Sequence, residues 1–313
     1  PSACGAEAAW VDAAAVHAPA TLADVIAHLT GARVLPPAVA GVADATSSHL
    51  DMRDVRGQER AKRALEIAAA GRHHLLLVGT PGAGKSMLAE RLSTILPDLA
   101  PDEALETSMV QSRAGLVDAG GISRTRPYRR PHHTASMAAI VGGGKGAQPG
   151  EISLAHNGVL FLDELPEFPR GVLETLRQPI ETGDIHVSRA NAHVRYPCRF
   201  LLIAAANPCR CGYMPDASRA CARVPLCGED YLGRISGPLL DRFDLRLEVP
   251  PVSMRDLDIP ESGDTSADIA ARVATARAIQ TARYLDDPET RTNADASGNL
   301  FDRVAALDDA GKE

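Results

Sequence analysis

A glycine-rich octapeptide, residues 79–86, has the clearest chemical signature in this 313-residue sequence. Its pattern is typical of a phosphate-binding loop, in which glycines let backbone N–H groups close around phosphates ahead of a lysine and a serine. Lys85 is expected to reach the β- and γ-phosphates of a nucleotide, and Ser86 is expected to bind Mg²⁺. The predicted nucleotide-binding residues are Gly79, Thr80, Pro81, Gly82, Ala83, Gly84, Lys85, Ser86 and Met87.

Two carboxylates and an amide follow other apolar runs of the sequence. Asp163 and Glu164 end the run 160–164, and Asn207 ends the run 204–207. Ligands of α/β sheets bind at the carboxyl ends of strands, so Asp163 is expected to hold Mg²⁺ and Glu164 to polarise the attacking water. Asn207 is expected to orient the same water, although an Asn-Pro pair is also an ordinary turn starter.

Arg242 stands directly before the last apolar run, at the end of a short predicted helix. An arginine in this place could stabilise the charge of a transition state, from its own chain or from a neighbouring subunit. The alternative is an ion pair with Asp241 or Asp244.

The elements that would position these residues alternate between strands and helices. Apolar runs separated by helical stretches predict an α/β fold with a parallel sheet covered on both faces. The residues 181–196 predict a β-hairpin inserted into this frame. The predicted helices span 22–29, 57–70, 85–96 and 266–284, and the predicted strands span 74–78, 159–162, 200–204 and 245–249.

Four cysteines lie within 19 residues and leave two interpretations open. Four thiolates can complete a tetrahedral shell for a structural Zn²⁺. Reduced free thiols are the alternative, while six cysteines in the whole chain are too few for a disulfide scaffold. The cluster consists of Cys209, Cys211, Cys221 and Cys227. The neighbouring His132 and His133 are expected to be polar or nucleotide-proximal groups rather than metal ligands, because adjacent side chains of a strand diverge.

Composition and charge exclude several classes of protein. Apolar residues make up 45% and charged residues 23%, which argues against disorder, collagen and a coiled coil. The sequence holds no apolar run long enough for a membrane span and no visible secretory signal, so we expect a cytoplasmic protein without a membrane partner. A net charge of −7 argues against uniform coating of nucleic acid. The segment 113–145 nevertheless holds six Lys/Arg and one acidic residue, which indicates a local anionic partner.

The order of these motifs resembles that of Walker A, Walker B, sensor 1 and the arginine finger of AAA+ ATPases. Longer stretches are similar to the magnesium chelatase-like family and, within it, to its YifB/ComM branch. They are residues 55–71, 130–134, 149–158 and 235–242, and the resemblance extends over about residues 15–300.

The resemblance implies an AAA+ P-loop NTPase core with a five-stranded parallel sheet flanked by helices, β-hairpin insertions and an incomplete C-terminal helical lid. It also implies ATP and Mg²⁺ as cofactors and a homo-oligomeric ring, usually a hexamer. The domains expected from it are a remnant of a Lon-protease-like domain (1–30), a linker (31–53), the ATPase core (54–252) and the start of a truncated lid (253–313). The lid of relatives carries the sensor 2 arginine, which has no assignment in this chain.

The resemblance also gives the basic residues an expected role. In related AAA+ proteins an insertion and a hairpin project toward the ring pore, where arginines would contact branched or single-stranded DNA through its phosphates. A solvated basic loop, or arginines that bridge subunits, are the alternatives. The arginines concerned are Arg124, Arg126, Arg129 and Arg130 in the first stretch and Arg189 and Arg195 in the second.

Three functions follow as hypotheses. The leading one is an ATP-hydrolysing ring motor that acts on DNA. Its resemblance to the ComM branch implies branch migration of DNA during natural transformation or recombination. The first alternative is the ATPase subunit of a magnesium chelatase, against which the cysteine cluster argues. The second is a nucleotide-gated scaffold without hydrolysis, against which the intact Lys85, Asp163 and Glu164 argue.

Overall fold

The computed structural model describes residues 2–9, 15–39, 41, 49–116, 122–144, 146–189, 192–216, 218–252, 263–287, 290–304 and 306. The strands are β1 (Leu75–Gly79), β2 (Tyr128–Arg129), β3 (Gly142–Gly143), β4 (Gln148–Pro149), β5 (Val159–Leu162), β6 (Asp184–Arg189), β7 (Ala192–Pro197), β8 (Leu201–Ala206) and β9 (Leu245–Val249). The α-helices are α1 (Gly5–Ala8), α2 (Leu22–Leu29), α3 (Glu59–Gly71), α4 (Lys85–Arg91), α5 (Pro101–Arg113), α6 (Met137–Val141), α7 (Glu151–Leu154), α8 (Arg170–Thr175), α9 (Arg177–Thr182), α10 (Leu226–Leu232), α11 (Gly237–Leu240), α12 (Ser266–Arg283) and α13 (Gly298–Val304).

A five-stranded parallel sheet in the order β2-β5-β8-β1-β9 forms the centre of the molecule. β1 pairs with β8 in a register that sets Val78 opposite Ala206, and β5 pairs with β8 so that Leu162 lies opposite Ala204. The predicted parallel sheet and its five strands are therefore confirmed. The apolar runs of the sequence predict β1, β5, β8 and β9, but not the two-residue edge strand β2.

One face of the sheet packs against helices that follow β5. Leu76, Leu160 and Leu202 are buried on this face together with Val172 and Leu173 of α8. Alternate residues of the same strands point to the other face, as the pleat of a strand requires. Both faces are therefore removed from water, which explains why the strands read as continuous apolar runs.

The opposite face packs against the two helices that flank β1 and against a helix from late in the chain. Leu77, Phe161 and Ile203 are buried there with Leu65 of α3 and Val273 of α12. The core also reaches back to Met52, which is fully buried although the predicted linker includes it. These contacts do not otherwise test the predicted division into domains, which stays a prediction.

Several predicted elements match the structure, but a number of their ends differ. The predicted helix 85–96 is wrong at its end, because α4 stops at Arg91 and a short 3₁₀-helix, Leu92–Thr94, replaces its last turns. β8 begins one residue later than predicted and continues to Ala206. His74 lies outside β1: its backbone N–H donates to Oδ2 of Asp244 at 2.8 Å, and its ring accepts a hydrogen bond from the backbone N–H of Leu202 at 3.0 Å.

The predicted β-hairpin is formed by β6 and β7, which pair antiparallel from Asp184 opposite Pro197 to Arg189 opposite Ala192. Residues 190 and 191 of the predicted hairpin lie outside the described residues. The predicted helix 22–29 is α2, and Thr21 caps it by accepting a hydrogen bond from the backbone of Asp24. Among the helices that the structure describes, we find none with the length and apolarity needed to cross a membrane.

Candidate nucleotide site

A loop between β1 and α4 contains the glycine-rich octapeptide. Gly82 and Gly84 take left-handed backbone conformations, with φ of 81° and 87°, which glycine adopts without steric cost. Gly79 is required for a different reason, because a Cβ there would lie 2.3 Å from the carbonyl oxygen of Val249 in β9. The loop can therefore turn sharply at the end of a central strand.

Lys85 is buried at the start of α4 and points back into this loop. Its Nζ donates to the carbonyl oxygens of Gly79 at 2.7 Å and Thr80 at 2.9 Å. It also donates to Oδ1 of Asn207 at 3.1 Å. Burial lowers the pKa of Lys85, while the charge of Asp163 opposes that effect. The ammonium group is thus held in place by fixed acceptors of its own chain.

Ser86 and Asp163 are in contact. The hydroxyl of Ser86 donates to Oδ2 of Asp163 at 2.8 Å, which joins the start of α4 to the end of β5. A hydroxyl and one carboxylate are oxygen donors of the kind that Mg²⁺ takes beside nucleotide phosphates. The two residues predicted to bind Mg²⁺ therefore fit that ion chemically.

Glu164 has an uncommon backbone conformation for a residue that is not glycine, with φ of 53°. Such a conformation costs of order 1–3 kcal/mol and concentrates at functional sites. The backbone N–H of Glu164 donates to Oδ1 of Asp163 at 3.1 Å. The side chain of Glu164 is about half exposed, at 51%.

A cleft of about 350 Å³ connects these groups at the carboxyl edge of the sheet. The structure thus brings Lys85, Ser86, Asp163, Glu164 and Asn207 together but not Arg242, while their catalytic roles stay predictions. The cleft is lined by Pro81, Gly82, Gly84, Lys85, Ser86, Met87, Asp163, Glu164, Ala205, Ala206 and Asn207.

Arg242 lies at the opposite edge of the sheet, just before β9. Its Nη2 is 2.5 Å from Oε1 of Glu181 in α9, and it lines a separate cavity of about 670 Å³. The alternative partners predicted for Arg242 are wrong, because it pairs with Glu181. Asp241 instead lies 3.5 Å from Arg246, and Asp244 accepts a hydrogen bond from the backbone of His74. A strand of five residues separates the two edges by about 15 Å, so Arg242 does not reach the cleft of its own chain.

Most arginines predicted to contact DNA have partners inside the chain. Arg126 is largely buried and bonds to Glu103 at 2.7 Å, and Arg129 forms two bonds to Glu151 at 2.6 and 2.7 Å. Both contacts correct the prediction, because these guanidinium groups are already neutralised by carboxylates. Arg124 and Arg195 are exposed, although Arg195 also pairs with Asp184. The side chain of Arg189 lies outside the described residues.

The cysteine cluster does not support the predicted zinc site. The Sγ atoms of Cys209 and Cys211 lie 3.1 Å apart, and all four cysteines are free thiols. Hydrogen bonds from the backbone of Tyr213 and from Cys209 and Cys221 lower the pKa of Cys211 to about 7. Across the described ranges, no group of three or more His, Cys, Asp or Glu residues is arranged to hold a metal ion.

Sequence reasoning did not assign Arg130 to the site and placed His133 there only as one of two interpretations. Arg130, predicted to contact DNA, donates to Oδ2 of Asp163 at 2.7 Å and to Oε1 of Glu90 at 2.5 Å. His133 lies with Nδ1 3.4 Å from Oε2 of Glu164, as one of the two interpretations of the histidine pair anticipates. The expectation that the two adjacent side chains diverge is wrong, because they do not lie in a strand and their ring centroids are 4.2 Å apart. The pairing of β2 with β5 could have placed both residues at the site, but a strand of two residues leaves no recognisable pattern in the sequence.

Comparisons with known proteins agree with this geometry. The family described as magnesium chelatase, subunit ChlI, matches residues 51–257. The chain is 51% identical over 262 residues to the uncharacterized protein YifB of Escherichia coli, covering 79% of this chain and 50% of that protein. It is 47% identical over 273 residues to the competence protein ComM of Haemophilus influenzae, covering 84% and 52%.

A more distant relative is the magnesium-chelatase 38 kDa subunit of Rhodobacter capsulatus, 27% identical over 219 residues, with 64% of this chain and 56% of that protein covered. The chain spans about half the length of the curated relatives that it matches.

Proposed function

The chain belongs to the family of magnesium chelatase subunit ChlI, and on that premise we propose that it is an ATP hydrolase of the AAA+ class working as a ring motor on DNA. The observation that carries the proposal is the convergence of Lys85, Ser86, Asp163 and Asn207 in one cleft. Lys85 contacts Asn207 and Ser86 contacts Asp163, so the loop and two strand ends form one connected site.

The reaction assigned to the cleft is in-line attack of water on the γ-phosphate of ATP, which yields ADP and phosphate. The main-chain amides of the loop and Lys85 bind the phosphates. Ser86 and Asp163 would hold Mg²⁺, which when bound neutralises negative charge on the phosphates. Glu164 orients the water and accepts its proton, and Asn207 orients the same water from the end of β8.

The arginine finger is proposed to act between subunits. Arg242 lies at the edge of the sheet that faces away from its own cleft, and a ring brings this edge of one subunit to the cleft of the next. The guanidinium of Arg242 must then leave Glu181 and bind the nucleotide of the neighbouring subunit. Assembly into a ring, with six subunits as the relatives of the AAA+ class suggest, is part of the proposal.

The action on DNA rests on relatives rather than on contacts within the chain. One relative is the competence protein ComM, which is 47% identical. Arg124, an exposed residue whose Nε donates to the carbonyl oxygen of Leu99, is a candidate for phosphate contacts, whereas the exposed Arg195 would first have to leave Asp184. We therefore propose branched or single-stranded DNA as the partner, and the cytoplasm as the place of action.

A magnesium chelatase subunit is the second candidate, because the matching family and the 27% identical relative carry that description. Its nucleotide chemistry would be the same. The two candidates differ in what ATP hydrolysis drives, so DNA separates them.

A fluorescent four-way DNA junction tests the proposal. The motor should convert the junction into two duplexes in the presence of ATP and Mg²⁺, and Lys85→Ala should abolish that conversion. An active ATPase that never changes the junction would reject the DNA motor and favour the chelatase candidate.

A further inference from the structure

The residues 130–134, here called the edge segment, directly follow the edge strand β2 and include a turn at 133 and 134. β2 pairs in parallel with β5, with Tyr128 opposite Val159 and Arg129 opposite Leu160. The edge segment and the end of β5 therefore leave the sheet at the same edge.

Arg130 bridges two carboxylates of the nucleotide site. Its Nη2 donates to Oδ2 of Asp163 at 2.7 Å and its Nη1 donates to Oε1 of Glu90 at 2.5 Å. The guanidinium lies 5.2 Å from the ring centre of Phe161, a fully buried residue of β5. Oδ2 of Asp163, which also accepts the hydroxyl of Ser86, is thus fixed from two sides.

His133 faces the second carboxylate. Its Nδ1 lies 3.4 Å from Oε2 of Glu164, and it is the one described residue whose side chain the structure places within ion-pair distance of that carboxylate. Its ring stacks on His132, with centroids 4.2 Å apart, and meets the edge of Phe168. His132 is itself held by Thr134, 2.8 Å from its Nδ1. The imidazole is therefore oriented before any nucleotide binds.

We propose that the edge segment is a positioning element of the ATP site, in which Arg130 orients Asp163 toward Ser86 and His133 orients Glu164 toward the attacking water. Two adjacent carboxylates repel each other and would compete for one cation. Arg130 and His133 each hold one of the two carboxylates, so that Asp163 can bind the metal while Glu164 orients the water. This inference rests on the proposed hydrolysis of ATP at the same cleft.

The test of His133 separates binding from chemistry. His133→Ala should lower kcat at least about tenfold while the Kd of a fluorescent ATP analogue stays within about twofold. His133→Asn, whose amide can occupy the place of Nδ1, should recover most of that loss. His186→Ala, a change at an exposed histidine of β6, serves as the matched control.

The test of Arg130 uses Mn²⁺ in place of Mg²⁺ and needs no turnover. Loss of a partner that orients a metal ligand typically costs 10–100-fold in metal affinity, so Arg130→Gln should weaken Mn²⁺ binding to the ADP-bound protein by about that factor. Electron paramagnetic resonance of free Mn²⁺ measures the change. Arg130→Lys should recover part of the affinity, and Arg219→Gln, at an exposed arginine, should match the wild type.

The outcomes distinguish this inference from the function on which it rests. If the wild type hydrolyses ATP and both His133→Ala and Arg130→Gln equal it, the edge segment has no positioning role. The same holds if Mn²⁺ binds Arg130→Gln as tightly as the wild type, or more tightly. A folded wild-type protein that binds no nucleotide would overturn the proposed function, and the inference with it.

Discussion

Lys85 donates a hydrogen bond from Nζ to Oδ1 of Asn207 across 3.1 Å, although 122 residues separate them in the chain. The contact follows from the sheet, because β1 and β8 are neighbours and Val78 lies opposite Ala206. Lys85 lies after the end of β1 and Asn207 directly after the end of β8, so both lie at the carboxyl edge of the sheet. The phosphate-binding loop and the residue proposed to orient water are therefore one unit rather than two separate motifs.

Glu164→Gln should retain ATP binding and lose hydrolysis. The amide has the shape of the carboxylate but cannot accept a proton from water, and general-base catalysis typically contributes 10²–10⁴-fold. We expect kcat to fall at least about 100-fold while the Kd of ATP changes less than about threefold. Glu59→Gln, at an exposed glutamate, is the matched control. Unchanged turnover in Glu164→Gln would remove this residue from the chemistry.

Two inactive variants should restore each other when they are mixed. Lys85→Ala lacks a working cleft but keeps Arg242, whereas Arg242→Ala keeps its cleft but lacks the finger. An interface is complete when an Arg242→Ala subunit supplies the cleft and a Lys85→Ala subunit supplies the arginine. In a head-to-tail ring, random mixing of the two variants makes roughly a quarter of the interfaces complete. Steady-state ATP hydrolysis measures the recovery. A mixture no more active than its components would contradict an arginine supplied by a neighbour.

Gly79→Ala should destabilise the fold. The new methyl group would lie 2.3 Å from the carbonyl oxygen of Val249, a backbone atom of the neighbouring strand that must move. Overpacking of this kind typically costs about 1–3 kcal/mol. Urea denaturation measures the free energy of unfolding. Gly237→Ala, where no atom lies within 4 Å of the added Cβ, is the control, and equal stability of the two variants would contradict the account.

His74 should make the protein less stable as the pH falls. Burial lowers the pKa of His74 from its ordinary value of 6.5 to about 4, although the nearby Asp244 opposes the shift. The unfolded chain then binds more protons than the folded one between these values, so stability is full above pH 6.5 and is lost on the way to pH 4, by up to about 3 kcal/mol.

Urea denaturation at several pH values follows this loss. His74→Asn keeps an oxygen that can accept the N–H of Leu202 and should flatten the pH dependence above pH 4.5. Below that pH, carboxyls such as Glu106, whose pKa is lowered to about 2 chiefly by the hydrogen bond from His156, add their own loss. An equally steep dependence in His74→Asn would show that other groups cause it.

The parts of the site that depend on local sequence could be predicted. The loop from Gly79 to Ser86 forms its turn from its own glycines, and Asp163 and Asn207 are placed by the strands that directly precede them. These residues need only the direction of a parallel sheet to converge, and apolar runs reveal that direction. The hairpin of β6 and β7 is likewise a local feature with its own alternating pattern.

The remaining parts depend on contacts between distant segments. β2 has only two residues, too few for a periodic pattern, so the approach of Arg130 to Asp163 has no local signal. Charge alone suggested DNA contacts for Arg126 and Arg129, but their carboxylate partners, Glu103 and Glu151, lie 22 or 23 residues away in the chain. Glu181, the partner of Arg242, is 61 residues away in the chain and has no sequence pattern of its own.

The central claim is that this cleft hydrolyses ATP and that DNA engages the motor. Steady-state release of phosphate, measured with and without forked DNA for the wild type and Lys85→Ala, tests it most directly. We expect turnover that needs Mg²⁺, rises severalfold with DNA and disappears in Lys85→Ala. Turnover that persists in Lys85→Ala, or a wild type that binds ATP and never hydrolyses it with or without DNA, would contradict the account.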